Sequence, residues 1–245
     1  MWYPLHFLTI PLGYLTVFFV AFFSRRLSPR ARTWAVRTFV ILLYVGEVIK
    51  QITVRGSYSP NYLPFHYSST YYISFALFAF GRDRVRHYGA CASYVGGLFL
   101  LVTMTINPHS VVGDPAMMFT HYYHAYSYFY HMAVLLLWAV MLMNGEYRMQ
   151  RFDYLRYLTF LGAWAAAAIP AAFLLDVNYA GILRSFIHPL ELIRLRFGQV
   201  VYLLTYGVFA LVGVWIAFLL YRLGARIIAA ARERKDKDNL PVGEN

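Results

Sequence analysis

The chain has 245 residues, of which 60% are hydrophobic, 19% aromatic and only 13% charged. Soluble domains average about 45–50% apolar and about 25% charged, so composition removes soluble enzymes, coiled coils and disordered tails from consideration. The formal net charge of +11 would suit a nucleic-acid partner, but its distribution along the chain has another cause.

About 20 apolar residues cross the ~30 Å hydrocarbon layer of a membrane. Runs of that kind occupy residues 5–23, 34–54, 63–80, 88–106, 119–143, 157–175 and 200–221. They predict an all-α polytopic membrane protein, with a seven-transmembrane-helix bundle over 1–223 and a basic cytoplasmic tail over 224–245. The arginines follow the first run instead of preceding it, so that run is read as a retained helix and not as a signal peptide. Arg25, Arg26, Arg30, Arg32 and Arg37 lie at the first connection. Arg82, Arg84 and Arg86 lie at the third, Arg148, Arg151 and Arg156 at the fifth. Arg222, Arg226, Arg232, Arg234, Lys235 and Lys237 follow the last run, so one side holds most of the 22 Lys and Arg. Positive charge collects on the cytoplasmic side, which places the N-terminus outside and the C-terminus inside. The basicity is then a topology signal, and no nucleic acid is expected as a partner.

The second run carries Glu47 and Lys50, spaced to share a helix face and pair. Ionisable groups inside a span are costly and mark functional positions unless paired. Glu47 is therefore read either as half of a structural ion pair or as a group that orients a histidine or a polar headgroup. The third run opens with His66. Ser69 and Thr70 follow it at helical spacing, and the segment 67–72 is rich in hydroxyls. It predicts either a polar seam between helices or a polar pocket.

In the fourth run Cys91, the only cysteine, sits among small residues; it allows no internal disulfide and reads as a packing residue. The fifth run holds His121, His124 and His131, with Tyr128 between the last two on one predicted face. His121 and His124 have a loose zinc-ligand spacing. Only Glu47, Asp114 and Asp176 are obvious acidic partners on that side, however, and no HExxH occurs. Neither a metal nor another cofactor is expected. The sixth run is alanine-rich over 163–172 and interrupted by Pro170, which suits close packing and a bend.

The longest outer connection, 176–199, contains Asn178, Tyr179 and an apolar stretch at 190–195 that predicts a short interfacial helix. Residues 224–237 predict a basic continuation of the last helix, and 238–245 a disordered end.

These landmarks together resemble the bacterial seven-helix membrane proteins of the YwaF type and their animal relatives, the transmembrane protein 164 family. The resemblance rests on Glu47, on Asn61-Tyr62-Leu63-Pro64-Phe65-His66, on Tyr128-Phe129-Tyr130-His131, on Asn178-Tyr179 and on Gly198, in that order. It implies a plasma-membrane protein, bacterial in type, built on the seven-helix fold. The animal relative is described as a phospholipid acyltransferase that uses a cysteine and a histidine. The histidine carries over to His131 and the third-run histidine to His66. The cysteine position is Phe65, so thiol chemistry does not carry over.

Acyl transfer without the thiol needs another nucleophile, a base and oxyanion donors. Ser69 is the preferred hydroxyl, with His131 as base and His66 as a donor. Glu47, Lys50, Thr70, His124, Tyr128, Asn178 and Tyr179 are the candidate substrate-binding residues. Lys50, Arg184, Arg194 or Arg196 would hold a lipid phosphate. Membrane phospholipid is the expected substrate or ligand, and a homo-oligomer is left open. All of this expects a water-accessible hollow where the imidazoles of the third and fifth runs face one another. The same pocket would also serve non-enzymatic binding or transport of a lipid or small molecule, and a scaffold role is the third reading. No inverted repeat or charged pathway points to a transporter.

Overall fold

Three helices carry the core, and the rest of the chain wraps them. The computed structural model describes residues 3–53, 63 and 65–238. In chain order the α-helices are α1 (His6–Ser24), α2 (Pro29–Thr53), α3 (Thr70–Phe80), α4 (Asp83–Ile106), the single turn α5 (His109–Val112), α6 (Tyr122–Met143), α7 (Asp153–Leu175) and α8 (His188–Asp238). Short 3-10 turns cover Tyr67–Ser69, Pro115–Phe119 and Tyr179–Gly181, and no strand occurs among the described residues. More than half of the apolar stretch of α4 and of α6 is buried, against under a fifth in α1 and α8. Phe75, Phe78, Val95, Val134, Leu135 and Met141 form the almost fully buried centre.

The outer faces are apolar too. Leu8, Leu12 and Leu15 on α1, Ile41 and Val48 on α2, and Leu204, Val208 and Phe209 on α8 are all more than 50% exposed. A belt of that extent suits hydrocarbon and not water. Five helices, α1, α4, α6, α7 and α8, are long and apolar enough to cross a membrane.

The seven expected spans are met only in part. α2 is 25 residues long, but its arginines, Glu47 and Lys50 keep it out of that apolar set. The expected third span shrinks to the 11 residues of α3, about 17 Å of helix. His66 is extended (φ −66°, ψ 147°) and residues 67–69 form a 3-10 turn. Hydroxyls that bond local carbonyls compete with α-helix here: Thr70 Oγ1 donates to the Tyr67 carbonyl at 2.6 Å. Of the disordered end expected at 238–245, Asp238 is instead the last residue of the final helix; Asn61, Tyr62, Pro64 and residues 239–245 lie outside the described residues.

The expected interfacial helix at 190–195 is the opening of α8, which runs from His188 and breaks at Gly198 (φ 85°, ψ 173°), a conformation that favours glycine. Beyond the break α8 continues through 224–237 and ends at Asp238. α3 and α4 pack as a close antiparallel pair. A Cβ on Gly89 would stand 2.7 Å from the Leu77 carbonyl carbon, so the contact exists because that position has no side chain.

The arginine-rich end is tied by ions. Arg32 Nε meets Glu146 at 2.6 Å, and Arg86 pairs with the other Glu146 oxygen. Asp153, with no exposed surface, accepts from His87 Nε2 (2.7 Å), Arg156 (2.7 Å), the Tyr147 hydroxyl (3.0 Å) and the Gln150 N–H (2.8 Å). Burial pushes the Tyr147 phenol above its ordinary range, so it remains a proton donor to that carboxylate. Cys91, fully buried, donates to the Asp153 backbone carbonyl at 3.4 Å.

Candidate functional site

The opposite end of the bundle brings α2, α3 and α6 together around Glu47. Lys50 Nζ lies 2.6 Å from Glu47 Oε2, and Gln51 donates to Oε1 at 2.7 Å. Tyr72 of α3 donates to Oε2 at 2.8 Å and lies 2.8 Å from the Tyr126 hydroxyl of α6. Tyr126 in turn donates to the Leu43 carbonyl at 2.6 Å. The Leu43 carbonyl and the Glu47 carboxylate both accept, so two phenolic protons are shared among three short oxygen contacts. The Lys50 ammonium also lies over the Tyr123 and Tyr126 rings, 5.8 and 5.6 Å from their centroids, a cation–π arrangement. The expected Glu47–Lys50 pair thus forms, as part of a larger network.

Tyr130 extends the network towards the histidines. Its ring stacks on Tyr72 at 4.7 Å and meets the His131 ring edge-on at 5.0 Å. Its hydroxyl donates to the Ser68 carbonyl at 2.7 Å. Tyr130 is thus the link between His131 and the turn that carries His66.

His131 is 7% exposed, and its Nδ1 lies 2.7 Å from the Ser127 carbonyl oxygen. A carbonyl only accepts, so in the neutral ring the proton sits on Nδ1 and Nε2 carries the lone pair. The His66 ring stands edge-on to Tyr179 at 5.2 Å, with Phe65 on the same tyrosine at 5.4 Å. Tyr179 is completely buried.

The helical face expected for His66, Ser69 and Thr70 does not form, because His66 precedes the helix. The three are joined instead by a turn in which the Ser69 N–H donates to the His66 carbonyl at 2.9 Å. Ser69's hydroxyl makes no hydrogen bond among the described residues, whereas Thr70's is spent on the backbone. Tyr128 donates to the Thr9 carbonyl at 2.6 Å and so fastens α6 to α1. The His124 ring lies over Gly113, near His121 (6.1 Å). Asn178 uses both ends of its amide in its own loop: it accepts from the Leu183 and Arg184 N–H groups and donates to the Arg184 carbonyl. Lys50 and Arg194 are engaged by Glu47 and Glu191, while Arg184 and Arg196 are exposed. A slot between Val40, Leu43, Tyr72, Phe75, Tyr130 and Val134 adjoins the network and is too thin to hold a water molecule.

Tyr126 and Gln51 were not singled out from sequence, and Tyr72 and Tyr130 entered only through the segments 67–72 and 128–131, not as site residues. The available signal was the spacing of Tyr122, Tyr126 and Tyr130, four apart on one face of α6. No group of three or more His, Cys, Asp or Glu placed to hold a metal occurs among the described residues.

An all-helical, multi-pass membrane protein with a buried tyrosine, glutamate and histidine network is the class that this fold and site define. The chain belongs to the TMEM164 family, whose family model matches residues 1–227. No curated protein and no solved structure matches it.

Proposed function

We propose that the protein transfers or hydrolyses acyl groups of membrane phospholipids, with His131 as the general base. The observation that carries this is the Nδ1 contact to the Ser127 carbonyl, which leaves the Nε2 lone pair available on a buried histidine beside the polar network. In the step we infer, Ser69 Oγ attacks the ester carbonyl carbon and Nε2 takes its proton. The lysolipid oxygen leaves and regains that proton from His131. A second hydroxyl or water then attacks the acyl-serine ester in the same way. His66 is a donor to the oxyanion. The Glu47–Lys50 network receives the polar head. The substrate enters by parting the slot beside Tyr72 and Tyr130.

In this reading α2 and the segment 63–80 complete seven passes, the N-terminus faces out, and the protein sits with the YwaF-type members in a bacterial plasma membrane. A second reading, lipid or small-molecule binding without chemistry, draws on Phe65, which replaces the family's cysteine.

The test reconstitutes the full chain in phosphatidylcholine/phosphatidylglycerol liposomes carrying a labelled acyl chain and follows acyl release and transfer. General-base assistance typically contributes 10²–10⁴-fold. His131→Gln is therefore expected to lose about 100-fold or more, and Ser69→Ala a comparable amount. Unchanged turnover in a folded His131→Gln protein rejects the catalytic reading. Saturable lipid retention without turnover in the wild type selects the binding reading.

A further inference from the structure

Far from the site above, the arginine-rich end carries a second feature. A cleft of about 320 Å³ opens between the α6–α7 connection and α8, lined by Met149, Gln150, Arg151, Tyr221, Arg222 and Arg226. Arg32, Arg86 and Arg156, at the same end, are each paired with a carboxylate. Arg151, Arg222 and Arg226 have no carboxylate or hydrogen-bond partner among the described residues. Three unneutralised guanidinium groups around one concavity repel each other unless an anion joins them.

The cleft is built by its surroundings and is not a chance gathering of surface charge. The Gln150 N–H is held by Asp153, and its side-chain oxygen accepts from Arg156 at 2.7 Å. Tyr221 donates to the Tyr147 carbonyl at 3.3 Å, which fixes α8 against the connection. Arg222 and Arg226, one turn apart, then share a helix face across from Arg151.

We propose that this cleft binds the phosphate of an anionic phospholipid headgroup. Guanidinium matches phosphate oxygens in a bidentate fashion. Phe152, Leu223 and Ile227, neighbours of the cleft residues in the chain, are 53%, 44% and 69% exposed, so acyl chains find apolar surface beside the charges. That surface favours a lipid over free phosphate.

The test uses the full chain in detergent and measures retained phosphatidylglycerol by native mass spectrometry, with phosphatidylcholine and inorganic phosphate as the other probes. Polybasic contacts contribute on the order of 1 kcal/mol per Arg, so Arg151→Gln/Arg222→Gln/Arg226→Gln is expected to weaken phosphatidylglycerol retention about tenfold or more. Arg30→Gln/Arg84→Gln/Arg148→Gln removes the same charge from exposed positions outside the cleft and is expected to change it less than threefold. Arg222→Lys/Arg226→Lys keeps charge but loses the forked geometry and is expected to fall between them. Equal loss in the two glutamine triples overturns the proposal. Inorganic phosphate binding as tightly as phosphatidylglycerol also overturns it and assigns the cleft to a soluble anion.

Discussion

The Tyr130 hydroxyl donates to the Ser68 carbonyl at 2.7 Å, and that bond joins α6 to the turn leading out of His66. Because the Tyr130 ring also meets His131, one side chain holds the two halves of the candidate site in register.

Tyr130→Phe keeps the stacked ring and removes the donor, leaving a carbonyl without its partner. The expected cost is about 1–3 kcal/mol, the range for an orphaned polar group. Thermal unfolding in detergent reads that loss. Hydrogen exchange should show faster amides over 66–70 and little change in α4. Unchanged exchange in that turn would show that Tyr130 does not hold it.

Glu47→Ala leaves the Lys50 ammonium without its carboxylate. Breaking a fully buried pair costs about 3–5 kcal/mol. Here 17% and 22% of the two side chains remain accessible. Water screens part of that, and about 2 kcal/mol is expected. Lys50→Met in the Glu47→Ala background should recover most of the loss, since the uncompensated charge is then gone. Strict additivity of the two substitutions would show that the pair is not coupled.

The parts of this fold legible in the sequence are those that depend on one segment at a time. α1, α4, α6 and α7 show themselves as apolar runs, and Glu47–Lys50 as a pair within one helix. The third run misleads because its average apolarity hides residues 66–70, where hydroxyls bond nearby carbonyls and shorten the helix. Tyr72–Glu47 and Tyr130–Ser68 could not be read, since each needs to know which helices are neighbours. The pattern of Tyr122, Tyr126 and Tyr130 was visible, but its targets were not: the Gly46 and Leu43 carbonyls of α2 for the first two and the Ser68 carbonyl for the third. The bonds by which Asn178 staples its own loop could not be read either, since they depend on how residues 178–184 fold back.

Asp153→Ala removes the acceptor for four donors on three segments. Loss of this carboxylate, which has no exposed surface, takes the shared acceptor from His87, Arg156 and Tyr147 together, although Arg156 keeps its bond to Gln150. The expected loss is about 3–5 kcal/mol. Asp153→Asn keeps an acceptor oxygen and should lose about half as much. Comparing detergent melting of the two variants separates charge from hydrogen bonding. Identical melting in both would mean that the loss comes from the charge alone, and an Asp153→Asn protein that melts like the wild type would mean that the ion pairs contribute nothing measurable.

Gly89 and Gly162 offer a paired test of helix packing. A methyl group at Gly89 would meet the α3 backbone and Leu77 Cβ, at 2.7 Å, and backbone cannot step aside as a side chain can. Gly89→Ala is therefore expected to part α3 from α4 at a cost of about 1–3 kcal/mol, the range for overpacking. At Gly162, in the exposed part of α7, a methyl group meets nothing within 4 Å. Gly162→Ala should then gain about 0.5–1 kcal/mol, because alanine restricts the unfolded chain and favours helix. Melting temperatures of the two variants should move in opposite directions. A stable Gly89→Ala protein would show that α3 and α4 sit further apart than this packing requires.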